Sequence, residues 1–133
     1  MATMNSPETR SMTAGEDLSA AQFHFVTLEA DGFVDLADTE GEAVFGVCLN
    51  DGADAAGKAV TVAIRGRVLV EAGAAVTAGD LIFTNAAGEA INGTTASGAT
   101  DTPVAYALEN GVDGQNIAVE LFGPGNPATV DNS

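Results

Sequence analysis

The feature that most constrains this chain is a rhythm of short apolar runs, each closed by a glycine turn. Phe23 to Leu28, Phe33 to Leu36, Val44 to Leu49, Lys58 to Ile64, Val68 to Val70, Asp80 to Thr84, Val104 to Leu108 and Ile117 to Phe122 all have strand composition. In Lys58 to Ile64 the alternation is clean, with Val60, Val62 and Ile64 on one face. Asp31-Gly32, Asp51-Gly52, Gly57, Gly66, Gly79-Asp80, Gly88 and Asn110-Gly111 supply the turns. Short strands at intervals of about 8–12 residues predict an all-β domain, a small barrel or sandwich. The alanine-rich stretches 53–56 and 72–78 adjoin or contain glycine, and neither supports a long helix.

The ends differ from this body. Residues 1–17 are polar, rich in small side chains and without periodicity, which predicts an extended or flexible N-terminal arm. From Gly123 onward the chain is broken by Pro and Gly, which predicts an irregular C-terminal tail over 123–133. One folded domain over 18–122 remains, as expected for 133 residues.

Charge narrows the function. Nineteen Asp and Glu face four Lys and Arg, a net charge of -15. Such a surface repels nucleic acid and anionic membranes. It keeps the protein dispersed, and it also suits a saline medium in which ions screen the repulsion. Aromatic residues are only 5% of the chain, so the core is built mainly from Val, Ala, Leu and Ile. A core this thin gains from oligomerisation or from docking on a partner. The N-terminus shows no basic segment followed by an apolar one, so export through a signal peptide is not expected.

No constellation in the sequence carries catalytic chemistry. His24 is the only histidine and Cys48 the only cysteine, too few for a nucleophile–base pair or a Cys/His zinc site. Cys48 lies in an apolar run and reads as a buried thiol. His24, between Phe23 and Phe25, is expected on the face opposite the two rings, toward solvent or an interface. The acidic turns at 50–54 and 110–113 do not match a calcium-loop pattern. No phosphate-binding loop is present. The segment 66–82 shares the turn grammar of biotinyl carriers, but the single Lys58 lies outside it. No catalytic, cofactor-binding or metal-ligating residue is expected.

The chain also echoes itself. Gly46 to Asp54 parallels Tyr106 to Asp113 with Leu49 set on Leu108, and Val60 to Gly66 parallels Ile117 to Gly123. Each unit is an apolar strand, an acidic Gly turn and an alternating strand. Two copies leave open whether this is duplication or convergence on a common hairpin.

The series Ala43 to Leu49, Val60-Thr61-Val62, Gly66-Arg67-Val68, Ala72-Gly73, Ala78-Gly79-Asp80, Val104 to Leu108 and Ile117 to Phe122 resembles the capsid decoration (cement) proteins of tailed phages and related haloarchaeal viruses. Tyr106 stands where that rhythm has Gly before the late Ala-Leu pair. The resemblance implies a β-barrel or β-tulip domain without activity or cofactor. It implies a homotrimer, or a cluster of copies, at local symmetry axes on the outer surface of the virion, made in the host cytoplasm and bound to the major capsid protein.

For a chain of that kind, the capsid contact is expected in the arm: Met4, Asn5, Ser6, Pro7, Glu8, Thr9, Arg10, Ser11, Met12, Thr13, Ala14, Gly15, Glu16 and Asp17. An extended segment of this sort can add to a neighbour's sheet edge. Arg65 and Arg67, half of the positive charge, are candidates for a subunit interface. The competing expectation is a β-sandwich module of a virion fibre that binds carbohydrate or a receptor. The absence of Trp and the single Tyr106 weigh against sugar stacking.

Overall fold

The structure is a computed structural model that describes residues 7–93, 100–123 and 130–131. Its strands are β1 (Glu8–Thr13), β2 (Phe25–Leu28), β3 (Val34–Leu36), β4 (Gly46–Cys48), β5 (Ala59–Glu71), β6 (Leu81–Thr84), β7 (Ala90–Ile91), β8 (Thr100–Asp101), β9 (Ala105–Ala107), β10 (Asn116–Leu121) and β11 (Val130–Asp131). All the pairings between strands are antiparallel. Among the described residues there is no helix. The fold is an all-β, barrel-like domain made by a curled sheet in the order β3-β2-β4-β5-β10-β9-β6-β7, with β1 added to β5.

Strand β5 is the spine. The sequence reading divided it into two runs, because Gly66 interrupts the alternation. The structure carries one strand of 13 residues through that glycine. Gly66 has φ 98°, a left-handed conformation that glycine adopts without the Cβ penalty. At this point β5 changes partners. Arg65 is the last residue opposite β1, and Gly66 is the first opposite β10.

The two lengths of β5 organise two equivalent halves. In the first, β5 pairs with β1 and β4, β4 pairs with β2, and β2 pairs with β3. In the second, β5 pairs with β10, β10 with β9, β9 with β6, and β6 with β7. Each half curls until its ends meet, through a parallel bridge of Ala14 to Val34 in one and of Ala72 to Ala90 in the other. The sequence echo is therefore the visible part of a larger correspondence. The units it aligned are β4 with the start of β5, and β9 with β10.

Each half buries its own small side chains. Ala14, Leu18, Val26, Val34, Cys48, Val60 and Val62 form one cluster; Val68, Val70, Ile82, Ala105, Ile117 and Val119 belong to the other. Phe25, Val47 and Ala63 come from first-half strands but pack in the second cluster, which locks the halves together. Among the described residues, Phe25 is the largest fully buried side chain. Close packing also explains Gly46: a Cβ there would collide with the Ala63 carbonyl oxygen across the β4–β5 ladder.

Two segments outside the expected body carry strands. Residues 8–13, read as part of a free arm, form β1 on the chain's own β5. Thr9, Arg10 and Ser11 stay exposed and only Met12 packs on the core, so this edge strand has no apolar alternation to signal it. Within the expected irregular tail, Val130 and Asp131 pair with Asp101 and Thr100.

Candidate interaction surface

The register of the second half decides which side chains face outward together. Arg67 on β5 lies opposite Glu120 on β10, Glu120 lies opposite Tyr106 on β9, and Tyr106 lies opposite Leu81 on β6. Beside this row, Leu69 lies opposite Ala118. Residues paired across neighbouring strands share a face, so these side chains form a band across four strands. Leu69, Leu81 and Tyr106 are 41%, 43% and 40% exposed, so three large apolar groups stand outward side by side. Phe122 extends the band, its ring centroid 5.7 Å from that of Tyr106. Tyr106, the departure from the decoration-protein rhythm, thus points away from the core.

The band borders a shallow groove of about 320 Å³ lined by Pro7, Phe23, Leu49, Arg67, Val68, Leu69 and Ala118. The first half has a different character. Glu16, Glu29, Asp35, Asp38 and Glu42 line a second cleft there with Leu36. Asp35 Oδ1 is buried without a hydrogen-bond partner. Desolvation raises the Asp35 pKa above its ordinary value of 3.8, and the charges of Glu16, Glu29, Asp31 and Asp38 raise it further.

The residues expected to make contacts are distributed as follows. Met4, Asn5 and Ser6 lie outside the described residues. Pro7 reaches the groove. Glu8 holds Arg10 at 2.7 Å and Arg65 at 3.5 Å. Met12 and Thr13 are half-buried, and Ala14 is fully buried. Gly15 donates its amide to Val34, and Glu16 accepts the amide of Leu36 at 2.8 Å. Asp17 accepts from both the amide and the hydroxyl of Ser19, which lowers its pKa. Arg65 and Arg67 are both exposed, but their settings differ. Arg65 joins the first residues of β1, and Arg67 joins the apolar band.

Sequence reasoning did not find that band, because the register between β6, β9, β10 and β5 is not written in any one strand. It also misplaced His24. Phe23 has φ 64°, the only left-handed non-glycine residue among those described, and this turn breaks strand alternation before β2 begins. The His24 side chain is 13% exposed, turned inward rather than to solvent. Cys48 is buried as expected, with Sγ 3.0 Å from the Asn50 carbonyl oxygen, and desolvation raises its pKa.

A family model for phage cement proteins matches residues 7–121, which covers both halves of the domain. Among solved structures, the chain is similar to the N base of the head fibre gp8.5 of bacteriophage phi29. That match has a TM-score of 0.64 and 18% identity, and covers 87% of this chain and 94% of that one. At this identity the likeness is one of fold. No curated protein matches the chain. The family match spans Pro7 to Leu121, most of the chain and both halves of the barrel: the chain belongs to the phage cement protein family.

Proposed function

We propose that this protein binds the exterior of the mature major capsid shell and stabilises it, as a homotrimer at local three-fold axes. Membership of a family of structural virion proteins sets the frame. The observation that carries the proposal is the exposed band of Leu69, Leu81 and Tyr106 on a chain of net charge -15. An apolar patch bounded by charge is the usual form of a protein docking surface. Strong acidity keeps free copies apart until that surface is covered.

The arm, Met4 to Asp17, is the second contact element in this reading. Its exposed stretch Thr9 to Ser11 lies along β1, whose pairing in the sheet is with β5. An edge strand of this kind can accept a strand from a capsid subunit through main-chain hydrogen bonds. Arg67, beside the band, is placed to meet a carboxylate of a neighbouring copy. Arg65 contributes to the same boundary through the start of β1.

The likeness of fold to the base of a head fibre favours a second reading, a fibre-borne binding module. The two separate in one experiment. Purified expanded capsids lacking this protein are saturated with it and imaged by cryo-electron microscopy. Ordered density at three-fold or quasi-three-fold positions, near one copy per shell subunit, is expected. A bare shell at saturation overturns the proposal and favours the fibre module.

A further inference from the structure

The three side chains His24, Glu71 and Glu89 come together from three different elements. His24 precedes β2, Glu71 ends β5, and Glu89 lies in the turn between β6 and β7. One potential ligand atom from each lies within 4.8 Å of the other two. We infer that they form a binding site for a divalent transition metal, of which zinc is the prototype, clamping the two halves of the barrel together. The site is independent of how the protein meets the capsid.

The chemistry of the histidine carries this inference. Its Nδ1 lies 2.9 Å from the Gln22 carbonyl oxygen. A carbonyl can only accept, so Nδ1 carries the proton and donates it. Nε2, the other ring nitrogen, lies 3.6 Å from Glu71 Oε1 and 3.8 Å from Glu89 Oε2. Both distances exceed those of an ordinary N–H···O bond, about 2.7–3.2 Å. They approach the spacing of about 3.3 Å between ligands around a tetrahedral ion with bonds of about 2 Å. With Nε2 unprotonated, the imidazole and two carboxylate oxygens provide one nitrogen and two oxygens, a donor set suited to zinc with water as the fourth ligand.

The atoms not aimed at the ion are themselves held. The Gln22 carbonyl fixes the imidazole, and Asn85 Nδ2 donates to Glu89 Oε1 at 3.0 Å. Such outer partners are the usual supports of metal-binding His and carboxylate groups. The backbone is shaped around the cluster as well. Gly73 leaves room for Asn85 and Glu89, since a Cβ there would come within 3.0 Å of the Glu89 Cβ. Gly88 packs over His24, where a Cβ would lie 3.3 Å from the His24 Cβ. The left-handed turn at Phe23 directs the imidazole inward, and the Phe23 carbonyl accepts the amide of Glu71 at 2.8 Å. The scarcity of His and Cys argued against a zinc site in the sequence; the fold completes the ligand set with carboxylates.

Because the chain has a single histidine, its imidazole nitrogens can be read by 15N NMR without ambiguity. The test is a zinc titration of the full, chelator-stripped chain in high salt with excess magnesium, which occupies the exposed carboxylates. The Nε2 resonance is expected to move and to saturate at one equivalent, and the melting temperature is expected to rise with zinc. His24→Gln and Glu89→Gln should each weaken zinc binding about tenfold or more, whereas Asp51→Asn should leave it unchanged. An Nε2 resonance that does not move at saturating zinc overturns the inference, however much zinc the acidic surface takes up and whether or not the variants fold.

Discussion

The amide of Gly15 donates a 2.8 Å hydrogen bond to the carbonyl of Val34, and this contact closes the end of β1 onto β3. The second half repeats it, with Gly73 donating to Ala90 at 2.8 Å. The N-terminal segment is thus a wall of the first half as well as a candidate capsid contact.

Deletion of residues 1–13 should therefore destabilise the domain. It strips β1 from β5 and exposes the edge that carries Val60 and Val62. An uncovered sheet edge is also a route to aggregation. Chemical denaturation should show a lower midpoint, and light scattering should show self-association. Substituting Thr9, Arg10 and Ser11 together, all exposed, should leave the midpoint nearly unchanged. The substituted protein is the cleaner probe of capsid contact.

Phe25→Ala should be among the most damaging core substitutions. Phe25 is fully buried and packs in the second-half cluster although it belongs to β2. Removal of a buried phenyl ring costs about 3–5 kcal/mol. Equilibrium unfolding in urea should register this, and a cost under about 1 kcal/mol would contradict the interlocked core.

Asp35→Asn should stabilise the protein at neutral pH. The folded-state pKa of Asp35 is raised above 3.8, first by desolvation and then by its acidic neighbours. The folded chain therefore binds this proton more tightly than the unfolded chain does. The resulting penalty is full above the raised pKa and disappears as pH falls below 3.8. The gain from the variant should be present at pH 7 and absent at pH 3. Salt should raise the stability of the native protein by screening this cleft, and by less in the variant. Equal stability of the native protein in low salt and in molar KCl would remove the case for adaptation to a saline host.

Tyr106→Ser combined with Leu81→Ser should weaken capsid binding without unfolding the domain. Both side chains are exposed members of the outward band. Sedimentation with capsids should report the loss, and circular dichroism should show an intact fold. Unchanged binding would move the contact away from this face.

Cys48 should resist a maleimide at neutral pH. Burial raises its pKa, so the thiol stays protonated, and access is closed as well. Labelling should follow global unfolding as denaturant is added.

The sequence by itself determined the all-β class, most of the strands and the correspondence of β4–β5 with β9–β10, because alternation and glycine turns are local properties. Only the tertiary structure decided the rest. Strand β1 is mostly polar, with Thr9, Arg10 and Ser11 exposed, and backbone pairing with β5 creates it, so no side-chain period announces it. Gly66 looked like a break between two strands. It proved to be a bend within one, because a left-handed glycine can turn β5 while both lengths keep their partners. The outward row of Arg67, Glu120, Tyr106 and Leu81 depends on the register of four strands. His24 meets Glu71 and Glu89 because the chain turns at Phe23 and the two halves close against each other. Each of these turns on which distant backbones come into contact, and that is set by packing the whole chain.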